Sequence, residues 1–224
     1  MKKAVTLLAL VLPLAAHASW FDYEASIGAT RFSSQPDNTW YQEGAEHHLD
    51  LLSLSGSAGI TGPIVSRGSW GVDWHADYVN LGHVTSQCDC TPVDAFYSQA
   101  THSITNTSVP LANFMGSGMA QGIALTVEPY VWSHGLRFGV EAGVFPYIAS
   151  FSETITNWSN QPGMATRTIG VATPHHVEPG GVMGASVGNG RISVGYRHFI
   201  LPSNSKTPAV WKGADMIEVK WRFK

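Results

Sequence analysis

The sequence predicts an all-β fold, an up-and-down antiparallel barrel of eight transmembrane strands, and three observations support this prediction. The N-terminus carries an export signal, eight later segments alternate apolar with polar or small residues, and the connections between them alternate in length. Alternation with a period of two marks a β-strand with two unlike faces. In a transmembrane barrel the apolar face meets lipid and the charged face lines the lumen.

Residues 1–18 have the three parts of a secretory signal. Two lysines form the basic start, Val5–Leu14 is the apolar core, and a small-x-small sequence ends at Ala18. The apolar run is shorter than the roughly 20 residues that a membrane-spanning helix needs. We therefore expect cleavage between Ala18 and Ser19, which leaves residues 19–224 as a single outer-membrane barrel domain.

The charge balance of the mature chain excludes one class of partner. Removing Lys2 and Lys3 from the 13 basic residues leaves 11 against 16 acidic residues, a formal charge of −5. No basic stripe is available to neutralise phosphates, so we expect no nucleic-acid partner. Only 13% of the residues are charged and 23 are glycine, which is typical of a wall that meets lipid. The sequence indicates no cofactor and no metal.

The eight predicted strands have about 9–15 residues each, and a tilted strand of about 9–11 residues crosses a bilayer. In chain order they are Phe21–Thr30, Leu52–Ile60, Trp70–Tyr78, Gly118–Trp132, Leu136–Ser150, His175–Val187, Arg191–Phe199 and Ala214–Phe223.

Each strand has a parity that is mostly apolar, and this parity is predicted to face lipid. Its members, strand by strand, are Phe21, Tyr23 and Ile27; Leu52 and Leu54; Trp70, Val72 and Trp74; Ile123, Leu125 and Val127; Phe138, Val140 and Val144; Val177, Met183 and Val187; Ile192, Val194 and Tyr196; and Val219, Trp221 and Phe223.

The connections alternate between four longer external loops and three shorter periplasmic turns, as in outer-membrane barrels. They are Ser33–His47, Thr61–Ser69, Thr85–Gly116, Ser133–Gly135, Ser152–Pro174, Gly188–Gly190 and Leu201–Gly213. Three prolines, Pro129, Pro146 and Pro179, fall inside predicted strands. Because proline lacks the ladder N–H, each is expected to mark a bulge or to lie beyond the membrane-embedded part.

The opposite parity collects charged residues, which are predicted to fill the lumen. An eight-stranded barrel is just wide enough for side chains to fill it, and buried charges persist when they are paired. We therefore predict a salt-bridge network that plugs the lumen; a narrow polar pore or a proton-linked site is the alternative. The predicted members of the salt-bridge network are Asp22, Glu24, Asp73, His75, Asp77, Glu128, Arg137, Glu141, Glu178, Arg197, Glu218, Lys220 and Arg222.

The export signal, the two-faced strands and an aromatic C-terminal strand together resemble the small eight-stranded outer-membrane proteins of the OmpA/OmpX type. The final strand, Ile217–Phe223, is similar to the terminal signal by which such barrels are recognised. The resemblance implies a place in a Gram-negative outer membrane. It also implies contact with outer-membrane lipid and lipopolysaccharide, and with the barrel-assembly machinery during biogenesis.

Two cysteines, Cys88 and Cys90, lie in the longest predicted loop. An exported chain with two cysteines most simply pairs them, so we predict a disulfide between these two residues. A metal site that adds His83 or His102 is the alternative.

Three functions are compatible with the sequence. The first is a structural or surface-interaction role, in which external loops contact an unidentified partner above a plugged barrel. The second is a lipid A-modifying acyl hydrolase in the same barrel, because the segment from His198 to Ser203 and the later Glu218 resemble, in placement, the site of the lipid A deacylases. His198 and Glu218 have opposite parity, so no catalytic residue is assigned. The third is a soluble periplasmic β-domain that binds a small ligand.

Overall fold

The computed structural model describes residues 20–34, 48–50, 52–90, 97–98, 103–104, 112–156, 166–170, 176–202 and 211–223. Side chains are described for residues 20–33, 52–85, 117–150, 176–202 and 213–223. The predicted cleavage site at Ala18 and Ser19 lies outside this part, as do the side chains of Cys88 and Cys90, so both remain predictions. Within the described ranges, no helix has the length and apolarity needed to cross a membrane.

The described part of the chain folds into 13 strands. They are β1 (Asp22–Ser34), β2 (His48–Asp50), β3 (Leu52–Arg67), β4 (Trp70–Cys90), β5 (Tyr97–Ser98), β6 (Ser103–Ile104), β7 (Ala112–Ser133), β8 (Leu136–Val144), β9 (Tyr147–Thr156), β10 (Thr166–Gly170), β11 (Gly181–Gly188), β12 (Ile192–Ile200) and β13 (Trp211–Phe223).

Eight of these strands close into a barrel. The order of neighbours is β1, β3, β4, β7, β8, β11, β12 and β13, and β13 pairs with β1 to complete the ring. All of these pairings are antiparallel. The eight-stranded antiparallel barrel predicted from the sequence is therefore confirmed.

Several strands are longer or shorter than the sequence pattern predicted. The second predicted strand continues from Ile60 to Arg67, so only residues 68–69 form the turn before β4. The strand predicted from His175 begins instead at Gly181. Pro63 coincides with a register shift, which interrupts the alternation that would have revealed the strand's true end.

The three prolines singled out in the sequence fall where a missing N–H is tolerated. Pro146 separates β8 from β9, and its carbonyl accepts a hydrogen bond from the Ile123 backbone N–H at 3.0 Å. Pro179 precedes β11. Pro129 lies within β7 near the turn to β8, where the ladder between these strands is interrupted without a change of register.

The outer surface of the barrel is apolar. Its exposed side chains include Ile27, Leu54, Val140, Val194 and Ile217, each more than half exposed. A soluble fold would bury such residues, whereas a barrel in a bilayer turns them towards lipid. The closed wall and this apolar surface place the protein in the outer membrane, as predicted, and three tight turns, at residues 68–69, 134–135 and 189–191, mark the periplasmic end.

Two wall strands extend well beyond the membrane at the external end. β4 has 21 residues and β7 has 22, which corresponds to about 70 Å of strand at about 3.3 Å per residue. Their outer parts continue the sheet with short neighbours, in the order β2, β4, β7, β9 and β10. We call this extension the projecting sheet.

The assignment of faces gives a first prediction. Val140 is 59% exposed on the outer surface of β8, five residues after Gly135 of the periplasmic turn. Val140→Arg should reduce the free energy of unfolding by roughly 2–4 kcal/mol, because the charge would enter the lipid core. Urea unfolding in lipid micelles, followed by the mobility difference between unboiled and boiled protein, measures this loss.

The matched control is Ser69→Arg, which adds the same charge to an exposed periplasmic turn and should leave stability unchanged within about 0.5 kcal/mol. If Val140→Arg is as stable as Ser69→Arg, then Val140 does not face lipid and the assignment of faces is wrong.

Candidate functional site

The lumen contains two layers of different chemistry. The inward-facing side chains of β8 and β12 change from charged to aromatic towards the external end. Arg137 and Glu141 in β8 are followed by Phe145 directly after the strand, and Arg197 in β12 is followed by Phe199. β13 runs the other way, and its buried Met216 comes before the buried Glu218. A charged layer therefore lies on the periplasmic side and an apolar layer on the external side.

Arg197 is the centre of the charged layer and is only 1% exposed. Its guanidinium donates to Asp77 of β4 at 2.7 Å and to Glu141 of β8 at 2.5 Å, and its Nε lies 3.3 Å from Glu218 of β13. These three carboxylates come from different strands around the ring. One buried cation therefore connects opposite sides of the wall.

Lys220 adds a second cation, which faces two of these carboxylates and also Glu24. Its Nζ lies 3.6 Å from Glu24 Oε1, 3.7 Å from Asp77 Oδ2 and 3.8 Å from Glu218 Oε1. The Ser26 hydroxyl donates to the second Glu218 oxygen at 2.5 Å. Each of these carboxylates thus faces a positive charge, the condition under which a buried carboxylate remains ionised.

His75 bridges two carboxylates through both of its ring nitrogens. Nδ1 lies 2.7 Å from Glu24 and Nε2 lies 3.1 Å from Glu128, and the imidazole is buried. Ionised carboxylates only accept hydrogen bonds, so the geometry assigns a proton to each nitrogen and a positive charge to the ring. The Glu128 carboxylate also accepts from the Ser186 hydroxyl at 2.6 Å.

Two arginines hold the periplasmic edge of the layer. Arg137 donates to Asp73 at 2.9 Å and to Glu128 at 2.5 Å. Its guanidinium also stacks 4.0 Å from the centre of the Tyr130 ring, a favourable cation–π arrangement. Arg222 reaches the same Asp73 oxygen at 3.1 Å.

The layer has room for water and a small excess of negative charge. Its six carboxylates face four Lys or Arg side chains and the charged His75. Within the described residues, four polar atoms of this layer have no hydrogen-bond partner: Glu24 Oε2, Asp77 Oδ1, Arg137 Nε and Arg197 Nη1. Glu24 and Arg137 border a cavity of about 30 Å³, enough for a water molecule. No group of three His, Cys, Asp or Glu among the described residues is arranged to hold a metal ion.

Two residues predicted for the network lie at the two ends of the wall, outside the charged layer. Asp22 is partly exposed at the periplasmic rim, opposite Thr61 of β3. Glu178 lies in the segment before β11, where its backbone pairs with that of Tyr147 on both sides. The regular strand starts at Gly181 rather than at His175, but the pairing of Glu178 with Tyr147 keeps the register of the β8–β11 ladder, so Glu178 is buried in the wall on the external side of the charged layer.

The apolar layer was not foreseen from the sequence. It comprises Phe32, Val79, Leu81, Val84, Ala120, Ala124, Phe145, Tyr147, Ala149, Val182, Phe199, Leu201, Ala214 and Met216, all buried. We call this group the apolar plug. Phe145 packs against Phe199 at 4.7 Å between ring centres and stacks on Tyr147 at 6.0 Å.

Parity alone could have revealed most of this plug, because Phe145, Tyr147, Phe199 and Leu201 continue the parities of the luminal arginines. In β4 the signal is interrupted by a bulge. Gly82 has φ +88° there and inserts one extra residue, so the inward parity changes between Leu81 and Val84. A positive φ of this kind favours glycine.

His198 lies on the outer surface, as its parity predicts, but its partner is not Glu218. Glu218 points into the lumen beside Arg197. The His198 Nδ1 instead lies 2.7 Å from Oδ1 of Asp215, which faces it on β13. The sequence reasoning missed Asp215, although it has the same outward parity as Val219 and Trp221.

Comparisons with known proteins give similarity at the level of solved structures. No family model and no curated protein matches this sequence. The structure is similar to Ail, the attachment invasion locus protein of Yersinia pestis, solved with the heparin analogue sucrose octasulfate. Sequence identity is 12%, the match covers 92% of this chain and 100% of that one, and the TM-score is 0.39.

It is also similar to Neisserial surface protein A, at 10% identity over 93% of this chain and 99% of that one, with a TM-score of 0.38. The fold assignment rests on the strand pairing of the present chain.

The central position of Arg197 gives a second prediction. Arg197→Met keeps most of the side-chain volume but strands Asp77, Glu141 and Glu218 without their main cation. Breaking a buried ion pair in this way should cost about 3–5 kcal/mol of unfolding free energy, measured by urea unfolding in micelles.

Arg191→Met is the matched control, since Arg191 is exposed at the periplasmic turn and its replacement should be neutral within about 0.5 kcal/mol. A wild-type midpoint for Arg197→Met would contradict the central place given to this guanidinium.

Proposed function

We propose that this protein is a non-conducting outer-membrane barrel that presents the projecting sheet and its loops to partners outside the cell. The observation that carries this proposal is the division of the chain into a filled barrel and a long external extension. The barrel interior is occupied by side chains, so the parts available for interaction are outside the membrane.

The filled lumen supports a non-conducting barrel. The charged layer is held together by ion pairs across the ring, and the apolar plug covers its external side. Eight strands leave an interior just wide enough for side chains. An ion entering from the periplasm would lose its hydration against the aromatic rings of Phe145 and Phe199, which costs several kcal/mol.

The projecting sheet supports the interaction role. In the described part of the chain its outermost strands are β2 on one side and β10 on the other. An edge strand has a row of backbone N–H and C=O groups directed away from its sheet, which can pair with an extended segment of another protein.

The filled lumen predicts an absence of ion current. Purified protein inserted into a planar lipid bilayer should give no stepwise conductance above the leak of the bare membrane, because the apolar plug blocks the external end. Folded protein is verified first by the mobility difference between unboiled and boiled samples. A porin inserted in parallel is the positive control, and reproducible single-channel steps from this protein would refute the sealed lumen.

The interaction role predicts a loss of adhesion when the external part is shortened. Replacing residues 91–111 and 157–165 with short Gly/Ser connections should lower adhesion of expressing cells to epithelial monolayers several-fold, because this removes sequence from the external end, including β5 and β6, while every wall strand is kept.

The comparison uses cells with the full-length chain, the shortened chain and no chain, all with matched surface amounts. A shortened chain that adheres as well as the full chain, or a full chain no more adhesive than the empty cells, would contradict the proposed role.

A further inference from the structure

Two buried carboxyl groups meet in the charged layer, one from β1 and one from β4. They belong to Glu24 and Asp77, and each has one oxygen without a hydrogen-bond partner among the described residues, Glu24 Oε2 and Asp77 Oδ1. We propose that these two residues form a proton-binding site, in which one proton is shared between the two carboxyl groups and exchanges with the periplasm. This inference concerns the lumen alone and goes beyond the interaction role of the external part.

Gly59 of β3 allows the two side chains to meet. Glu24 pairs with Gly59 on one side of β3, and Asp77 pairs with Gly59 on the other, so the three residues form one row with a glycine at its centre. A Cβ at Gly59 would collide with Asp77 Oδ1, which places this unpartnered oxygen over the glycine. The two carboxyl groups are within hydrogen-bonding reach of each other.

The other oxygen of each group already has a donor. Glu24 Oε1 lies 2.7 Å from His75 Nδ1, and Asp77 Oδ2 accepts from Arg197 at 2.7 Å. Lys220 Nζ lies 3.6 Å and 3.7 Å from the same two oxygens. Because a carboxylate only accepts hydrogen bonds, Oε2 and Oδ1 cannot satisfy each other while both groups are ionised. One proton between them provides the missing donor.

The charge of the layer requires the same proton. Its six carboxylates face five cations, which leaves one negative charge without compensation. The neighbouring carboxylates are already satisfied: both oxygens of Glu141 accept from Arg197, and each oxygen of Glu218 has a donor within 3.3 Å. A proton on the pair of Glu24 and Asp77 neutralises the layer, and the single charge that the pair keeps faces Lys220.

The chemistry of the site favours a proton over a metal ion. The ammonium group of Lys220 lies within 3.7 Å of both carboxyl groups and would repel a metal ion placed between them. A hard metal ion also takes about six oxygen ligands or more, whereas two unpartnered oxygens are present here. A proton needs only these two.

The cavity of the charged layer connects the site with the periplasm. Glu24 borders this cavity together with Gly190 and Arg191 of a periplasmic turn, and the apolar plug covers the external side of the layer. Water in the cavity can therefore carry the proton between Glu24 and the periplasm. The site responds to the pH of the periplasm rather than to that outside the cell.

The first experiment compares wild-type protein with Asp77→Asn by urea unfolding in lipid micelles at about pH 6, where ordinary carboxyl groups are ionised. The amide keeps an oxygen for Arg197 and directs its NH₂ group at Glu24 Oε2, so it takes the place of the shared proton. We expect the variant to keep the wild-type midpoint. The matched control is Glu141→Gln. Both oxygens of Glu141 accept from donors, so an amide there would set its NH₂ group against a donor and should lower the midpoint.

The dependence of stability on pH gives a second readout. Above about pH 5 the carboxyl groups of the unfolded chain are ionised, so only the folded barrel holds the shared proton. The folding constant of the wild type, divided by that of Asp77→Asn, should therefore fall as the pH rises, by at most about tenfold per pH unit.

The infrared spectrum detects the proton directly. Folded wild-type protein at about pH 6 should show the C=O stretch of a protonated carboxyl group, at a time when ordinary carboxyl groups are ionised. This band should shift in D₂O, disappear at high pH and be missing from Asp77→Asn. If Asp77→Asn does not fold, Glu24→Gln replaces it, because its amide supplies the same donor from the other side of Gly59.

Four outcomes overturn the proposal. The first is a ratio of folding constants that does not change with pH, and the second is a wild-type spectrum without the protonated-carboxyl band. The third is a midpoint of Asp77→Asn as low as that of Glu141→Gln, which would mean that both groups are ionised and hydrated. The fourth is a wild-type midpoint that changes when Na⁺ replaces K⁺ at constant ionic strength, which would assign a metal ion to the site.

Discussion

The buried guanidinium of Arg197 is the interaction on which the rest of the barrel depends. It joins carboxylates from β4, β8 and β13, which are far apart in the chain and on different sides of the ring. In a low-dielectric lumen, such charges are tolerated only when each finds its partner. The ion pairs in the lumen therefore form only when the wall closes in the correct register. A register slip in any one strand would leave charges unpaired.

The same residue types behave differently on the two faces of the wall. Inside, His75 is held between two carboxylates and is buried, so its proton is fixed by its neighbours. Outside, His198 is partly exposed, and among the described residues one carboxylate, that of Asp215, faces its Nδ1. The buried ring therefore joins two carboxylates through both nitrogens, whereas the outer ring is joined to one neighbouring strand.

The charged layer and the apolar plug fill different halves of the lumen. The charged layer pins the register by direct ion pairs, and the apolar plug fills the external half by contact among aromatic and aliphatic side chains. Hydrocarbon packing needs no pairing partner, so the plug can accommodate the bulge at Gly82 and the break at Pro146. On the external side of the plug, β4 and β7 extend beyond the closed ring and continue, still paired with each other, into the projecting sheet.

The sequence by itself determined the fold class, the number of wall strands and the face of most wall residues, because a period of two records the two solvents that each strand meets. It could not determine strand ends such as Arg67 or Gly181, since a bulge or proline breaks the period without ending the strand. Nor could it determine partners. That Asp215 rather than Glu218 faces His198 follows from the register between β12 and β13, which only the folded sheet decides.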